Sequence, residues 1–197
     1  GLGYTDFTIE TLSAEKTDFT VSLSVRVTNV GKANGKEVVE VYLGAPCGKL
    51  GRPVKELAAY KKTKMLAPSE SETLDIAFDI RDLAAYDDGG YTGNAYCFVL
   101  ENGTYRVFVG KNVRDCNVEF SFGFDETIVT ESLESALAPT KPFERIVNRD
   151  GKMTFEAVPL KNYDTYSRIC DRIPKPIEKI SSNSHTITLA EVDEGCY

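Results

Sequence analysis

The sequence has no tryptophan, a single histidine and no apolar run of membrane length. Lack of tryptophan removes the commonest side chain for an aromatic sugar platform. His185 sits in the polar stretch SSNSHT with no nucleophile elbow nearby, so it reads as an exposed linker residue rather than a catalytic base. Five cysteines (Cys47, Cys97, Cys116, Cys170 and Cys196) form an odd set at irregular spacing, without a C-x-x-C pair. A zinc site is therefore not expected, and free thiols in a reducing, cytoplasmic compartment are favoured over a disulfide framework. Positive charge is also short: 23 Lys and Arg against 30 Asp and Glu leave a net charge of −7. That balance argues against a nucleic-acid partner, because phosphate binding needs a basic footprint. The one basic cluster, Lys61, Lys62 and Lys64, reads as a solvated strand face. No signal-peptide core, phosphate-cradling glycine loop or EF-hand pattern occurs, so neither a membrane partner nor a cofactor is expected.

What is present is a soluble composition, 42% hydrophobic and 27% charged over 197 residues. That suffices for one domain with an extension, or two small domains. FTVSLSVRV puts Phe19, Val21, Leu23, Val25 and Val27 on one face, with Thr20, Ser22, Ser24 and Arg26 on the other. This is the period-two pattern of a half-buried strand. TNVGKANGKE supplies a turn, VVEVYLG resumes a strand, and TLDIAFDI alternates through Leu74, Ile76, Phe78 and Ile80. AYCFVL, GTYRVFVG and NVEFSFGF follow, the last with Val118, Phe120 and Phe122 on one face. With Phe7, Ile9 and Leu12 opening the chain, seven or eight strands separated by turn signals predict an all-β antiparallel sandwich over residues 1–124. RPVKELAAYKK (Arg52–Lys62) is ambiguous by itself. Its apolar residues fit a helix through Val54, Leu57 and Ala58, or a strand with Leu57 and Ala59 opposite Ala58 and Tyr60.

After Phe124 the texture changes. DETIVTESLESALAPTKPFE is acidic and rich in connector residues, and RIVNRDGKMTF predicts a small hairpin about Asp150–Gly151. NYDTYSRICDRIP predicts a helix near 163–173, with Tyr163, Tyr166, Ile169, Cys170 and Ile173 on one face and Pro174 beyond its end. One amphipathic helix cannot bury itself, so residues 125–197 form a linker and docking extension. Gly1 is not preceded by methionine and the chain stops at EVDEGCY, so a segment of something longer is expected. One loop is a candidate for contact with a ligand. DDGGYTGNAY carries Asp87, Asp88, Tyr91 and Tyr96 between strands, where loops often carry recognition. The glycines that follow favour Asp87 and Asp88 as turn residues over an acid pair.

Six ordered blocks resemble one known family. GLGYTDF, VRVTNVGKANGKEVVEVYLGAP, RPVKELAAYKK, LAPSESETL, DLAAYD and NGTYRVFVG are similar, in order, to the fibronectin type III-like domain of glycoside hydrolase family 3. Two blocks depart from the pattern: Gly3 replaces a serine, and Ser69 replaces the glycine of L-x-P-G-E-S. The resemblance makes RPVKELAAYKK a strand, with Leu57 expected to face the core and the loop before it expected to reach toward a catalytic domain. VPLKNYDTYSRICDRIP and TITLAEVDEGCY are similar to the connector that leads into the (β/α)8 barrel in members with circularly altered domain order.

The resemblance implies a retaining hydrolysis, with an aspartate nucleophile from the barrel and an acid usually from the α/β-sandwich domain. The nucleophile's S-D-W-type context is missing, so no catalytic residue is expected here. The implied partners are the barrel and α/β-sandwich domains of the same enzyme, whose substrate is an oligosaccharide or aryl glycoside. Three roles follow as expectations: a brace between catalytic domains, a carbohydrate-recognition module using Tyr91 and Tyr96, or a free-standing fibronectin-like interaction domain.

Overall fold

Alternating apolar side chains build two facing sheets. In the computed structural model, which describes residues 3–133 and 141–158, β1 (Phe7–Thr17), β2 (Thr20–Asn29) and β5 (Ser71–Asp79) make one antiparallel sheet in the order β1-β2-β5. The second sheet runs β4-β3-β8-β9, from β3 (Val38–Gly44), β4 (Glu56–Lys62), β8 (Gly103–Gly110) and β9 (Cys116–Phe124). Val21, Leu23, Val25 and Val27 of β2 and Leu74, Ile76 and Phe78 of β5 are buried. They share one core with Val39, Val41 and Leu43 of β3 and Tyr105, Val107 and Val109 of β8. Each such side chain contributes about 1.5–3 kcal/mol by leaving water, which is why the period-two pattern dictates the layers. Tyr105 closes one end of the core, stacked on Phe122 at 5.3 Å and edge-on to Phe124 at 5.4 Å.

The turns between strands are fastened by side chains. Asn29 is fully buried and uses both ends of its amide. Its Nδ2 donates to the carbonyls of Ala33 (2.8 Å) and Leu66 (2.9 Å), while Oδ1 accepts from Thr5 Oγ1 (2.7 Å) and Gly31 N (3.1 Å). The segment leading into β1, the long turn and the Leu66 segment are thus held at one point. Ser69 occupies the left-handed region at φ 67°, and Glu70 N donates to Ala67 O at 2.9 Å. Pro68-Ser69 therefore forms the type II turn whose second central position ordinarily goes to glycine.

Two sequence expectations fail for one reason. RPVKELAAYKK does contain a strand, but Leu57 is 49% exposed rather than in the core. Register with β3 shifts between Val41↔Ala59 and Tyr42↔Leu57, so Ala58 is an extra residue and Leu57 turns to the outer face. Val118 is likewise 49% exposed, unlike its expected companions Phe120 and Phe122. Here the register with β8 shifts between Val107↔Phe120 and Phe108↔Val118, leaving Glu119 as the extra residue. A bulge at Leu12 in β1 exposes that side chain too.

Residues past 124 join the same compact unit, which comprises Gly1–Glu134 and Phe143–Pro159. The expected boundary at 124 is displaced because β10 (Ile128–Ser132) pairs with β7 (Cys97–Leu100) in a small sheet of order β10-β7-β6, where β6 is Ala85–Tyr86. The predicted hairpin is present as β11 (Glu144–Arg149) and β12 (Lys152–Ala157), with Asp150 and Gly151 both at positive φ in its turn. A second unit holds Ser135–Pro142 and Leu160–Tyr197. The predicted helix near 163–173 lies outside the described residues.

Candidate functional site

Asp87, first of the candidate loop residues, is fully buried at the end of β6. Its carboxylate accepts from Tyr91 N and Thr92 N, each at 2.8 Å, and from Thr92 Oγ1 at 2.6 Å. The backbone of the loop closes on the same residue: Asp87 N donates to Cys97 O and Tyr96 N to Asp87 O, both at 2.8 Å. Asp87 thus nucleates a tight turn, the role its glycine-rich context favoured. Tyr96 is half-buried at φ 63°, and its carbonyl accepts from Leu133 N at 2.9 Å, tying the loop to the end of β10.

Asp88 and Tyr91 meet a residue that the sequence did not single out. The guanidinium of Arg145, on β11, lies 3.7 Å from the centre of the Tyr91 ring, a cation–π contact. Arg145 Nη1 stands 3.9 Å from Asp88 Oδ1 and Nη2 stands 3.7 Å from Glu156 Oε2. Tyr91 Oη reaches the Ala157 carbonyl at 3.4 Å. Burial pushes the Tyr91 phenol up, against the opposing pull of Arg145. One face of the tyrosine ring is therefore held by the hairpin, and the loop acts as its seat.

The same hairpin clamps the GAPCGKLG loop. Arg145 Nη2 donates to Lys49 O at 2.9 Å, Arg149 Nη1 donates to Gly48 O at 2.7 Å, and Cys47 Sγ donates to Asn148 O at 2.9 Å. From the other side, buried Glu101 accepts from Lys49 N (2.6 Å) and Leu50 N (3.1 Å). Arg149 also forks onto Glu156. Glu101, Arg145, Arg149 and Glu156 were all missed. The available signal was the alternation Arg145-Val147-Arg149, which puts both arginines on the face that carries buried Val147. This arrangement positions a hairpin; its buried carboxylates accept backbone hydrogen bonds. Among the described residues, no cluster of His, Cys, Asp and Glu is arranged to hold a metal ion.

Residues 37–113 match the fibronectin type III-like domain family. Over 99% of its length the chain is 43% identical to a β-glucosidase of Ruminococcus albus, of which it covers 20%. It is 39% identical to β-glucosidase A of Butyrivibrio fibrisolvens over 87% of this chain and 22% of that protein. Among solved structures, a β-glucosidase from Paenibacillus barengoltzii superimposes with a TM-score of 0.79 at 38% identity, covering 89% of this chain and 20% of the other. β-Glucosidase 3B from Thermotoga neapolitana superimposes with a TM-score of 0.59 at 34% identity, over 66% of this chain and 17% of the other. The chain thus spans about a fifth of the length of the curated relatives it matches. With residues 37–113 matching that family and two facing antiparallel sheets shared with β-glucosidase structures, the chain fits a fibronectin type III-like domain of glycoside hydrolase family 3.

Proposed function

We propose that this segment braces the catalytic domains of a β-glucosidase-type enzyme that hydrolyses terminal non-reducing β-D-glycosides with retention of configuration. The observation that carries this reading is the match over 99% of the chain to a β-glucosidase five times as long. Retaining hydrolysis needs two carboxyl groups about 5–5.5 Å apart, one attacking the anomeric carbon and one protonating the leaving oxygen. The buried carboxylates of Asp87 and Glu101 are instead committed to backbone N–H groups. Both reacting groups are accordingly assigned to the barrel and α/β-sandwich domains of the parent polypeptide.

Two measurements test this. The isolated 197-residue chain should leave an aryl β-glucoside at its background rate of hydrolysis, and turnover above background overturns the non-catalytic role. In the parent enzyme, Asn29→Ala should hasten thermal inactivation, because weakening the brace weakens what it holds. An unchanged inactivation rate removes the bracing role.

A further inference from the structure

The two bulges that overturn the sequence reading act on the same row of the same sheet. Leu57 pairs with Tyr42, Tyr42 with Phe108, and Phe108 with Val118. These four side chains, one from each strand of β4-β3-β8-β9, form a continuous apolar row on the outer face, away from the core. In regular strands Leu57 and Val118 would point inward. Each bulge turns its edge strand at this row, and bulges are known to re-aim side chains.

The surroundings sharpen the row. Tyr60, on the next row outward, is 70% exposed. Tyr42 lies flat along its own strand with its hydroxyl donating to Glu40, and Lys55 Nζ caps the Phe108 ring at 4.7 Å. A Cβ on Gly44 would stand 2.9 Å from Phe108 Cε2 and 2.8 Å from Val54 O, so the ring is seated over a position that only glycine leaves open. The centre of the row is therefore rigid and its two ends are bare. Tyr42 is itself buried and Phe108 half-buried, so the apolar side chains that this face leaves in solvent are Leu57 and Tyr60 on one edge strand and Val118 on the other. Large apolar groups gathered on one face of a sheet mark an interaction site, and departures from local sequence rules concentrate at functional places.

We propose that this outer face is the surface by which the segment docks on a folded domain of the same polypeptide lying beyond these 197 residues. The proposal rests on the bracing role and says which surface performs it. Two observations select the occupant. Tyr42, Leu57 and Phe108 lie within residues 37–113, the span matched by the family. In the relatives that span sits in a single chain about five times as long, so the remaining four fifths supply the partner. The chemistry required of it is an apolar ridge that covers Leu57 and Val118 and packs against Tyr60.

Hydroxyl-radical footprinting read by peptide mass mapping tests the surface without any substitution. Leu57, Tyr60 and Val118 should be labelled in the 197-residue chain and lose that labelling in the parent enzyme. Equal labelling in both overturns the proposal. Protection already present in the dilute 197-residue chain assigns the face to the chain's own remaining residues, and protection that grows with concentration assigns it to a second copy; either outcome overturns it. A paired experiment uses Leu57→Asp with Val118→Asp. The melting temperature of the isolated chain should stay put, because both side chains are solvent-facing there, while thermal inactivation of the parent should accelerate by about tenfold or more. No acceleration overturns the proposal. The two readings separate cleanly. Lost protection with an Asn29→Ala effect removes the surface and keeps the brace, whereas intact protection without that effect does the reverse.

Discussion

Asn29 shows how one side chain can decide a turn. It makes four hydrogen bonds, three of them to backbone groups of two segments and one to the Thr5 hydroxyl, and is buried from water. Replacing it with alanine strands several buried polar groups, each costing about 1–3 kcal/mol. Asn29→Ala is expected to lower the stability of the chain by roughly 3 kcal/mol, as a shift in the urea midpoint at constant slope. Ser69 points the other way. Its φ of 67° belongs to the left-handed region, where a Cβ costs about 1–2 kcal/mol. Ser69→Gly is expected to raise the urea midpoint, by roughly 0.5–1 kcal/mol once glycine's extra freedom in the unfolded chain is subtracted. A fall in stability would mean that the serine makes up for its strain in some other way.

Strands were legible because burial on one side imprints a period of two. Val21 to Val27 and Leu74 to Ile80 alternate without interruption, and all the apolar members are buried. Leu57 and Val118 were misplaced because a bulge inserts one residue without any change of composition. Ala58 looks like any other strand alanine. The hairpin was legible from Asp150-Gly151, whose positive φ values suit the turn, but its seat was not. Arg145 is far from Tyr91 in sequence, and nothing in either stretch announces the stack. The candidate loop was correctly seen as a glycine-rich turn, while Glu101, Arg145, Arg149 and Glu156 emerged only from tertiary pairing. At this scale, Arg145→Ala should loosen β11 and β12 from the sandwich, since it removes a ring stack and a hydrogen bond worth about 1–2 kcal/mol together. Amide exchange in Glu144–Arg149 should accelerate while that of β2 is unchanged. Lysine should not restore protection, because it lacks the planar group that stacks.

For the molecule as a whole, the facing sheets set how stability responds to alkali. Tyr105 is buried in the core and donates to Glu101 O at 2.9 Å, and burial raises its phenol from 10.0 to about 12. A raised folded-state value means the neutral form is favoured in the native protein. Stability is therefore intact below pH 10 and is lost as pH climbs through about 12, once the unfolded chain ionises and the folded one does not. The contribution lost across that window is about 2–3 kcal/mol, and Tyr105→Phe should flatten this part of the profile when thermal midpoints are followed against pH. The two bulged strands carry a separate consequence. Among the described residues, β4 and β9 are the outermost strands of the four-stranded sheet, so each turns one line of backbone N–H and C=O groups away from its sheet neighbour. A straight margin invites another chain to add a strand, the route to ribbons and amyloid-like deposits. The extra residues at Ala58 and Glu119 interrupt both margins midway. The segment can thus stay folded and single, with neither margin offering a straight template for an added strand.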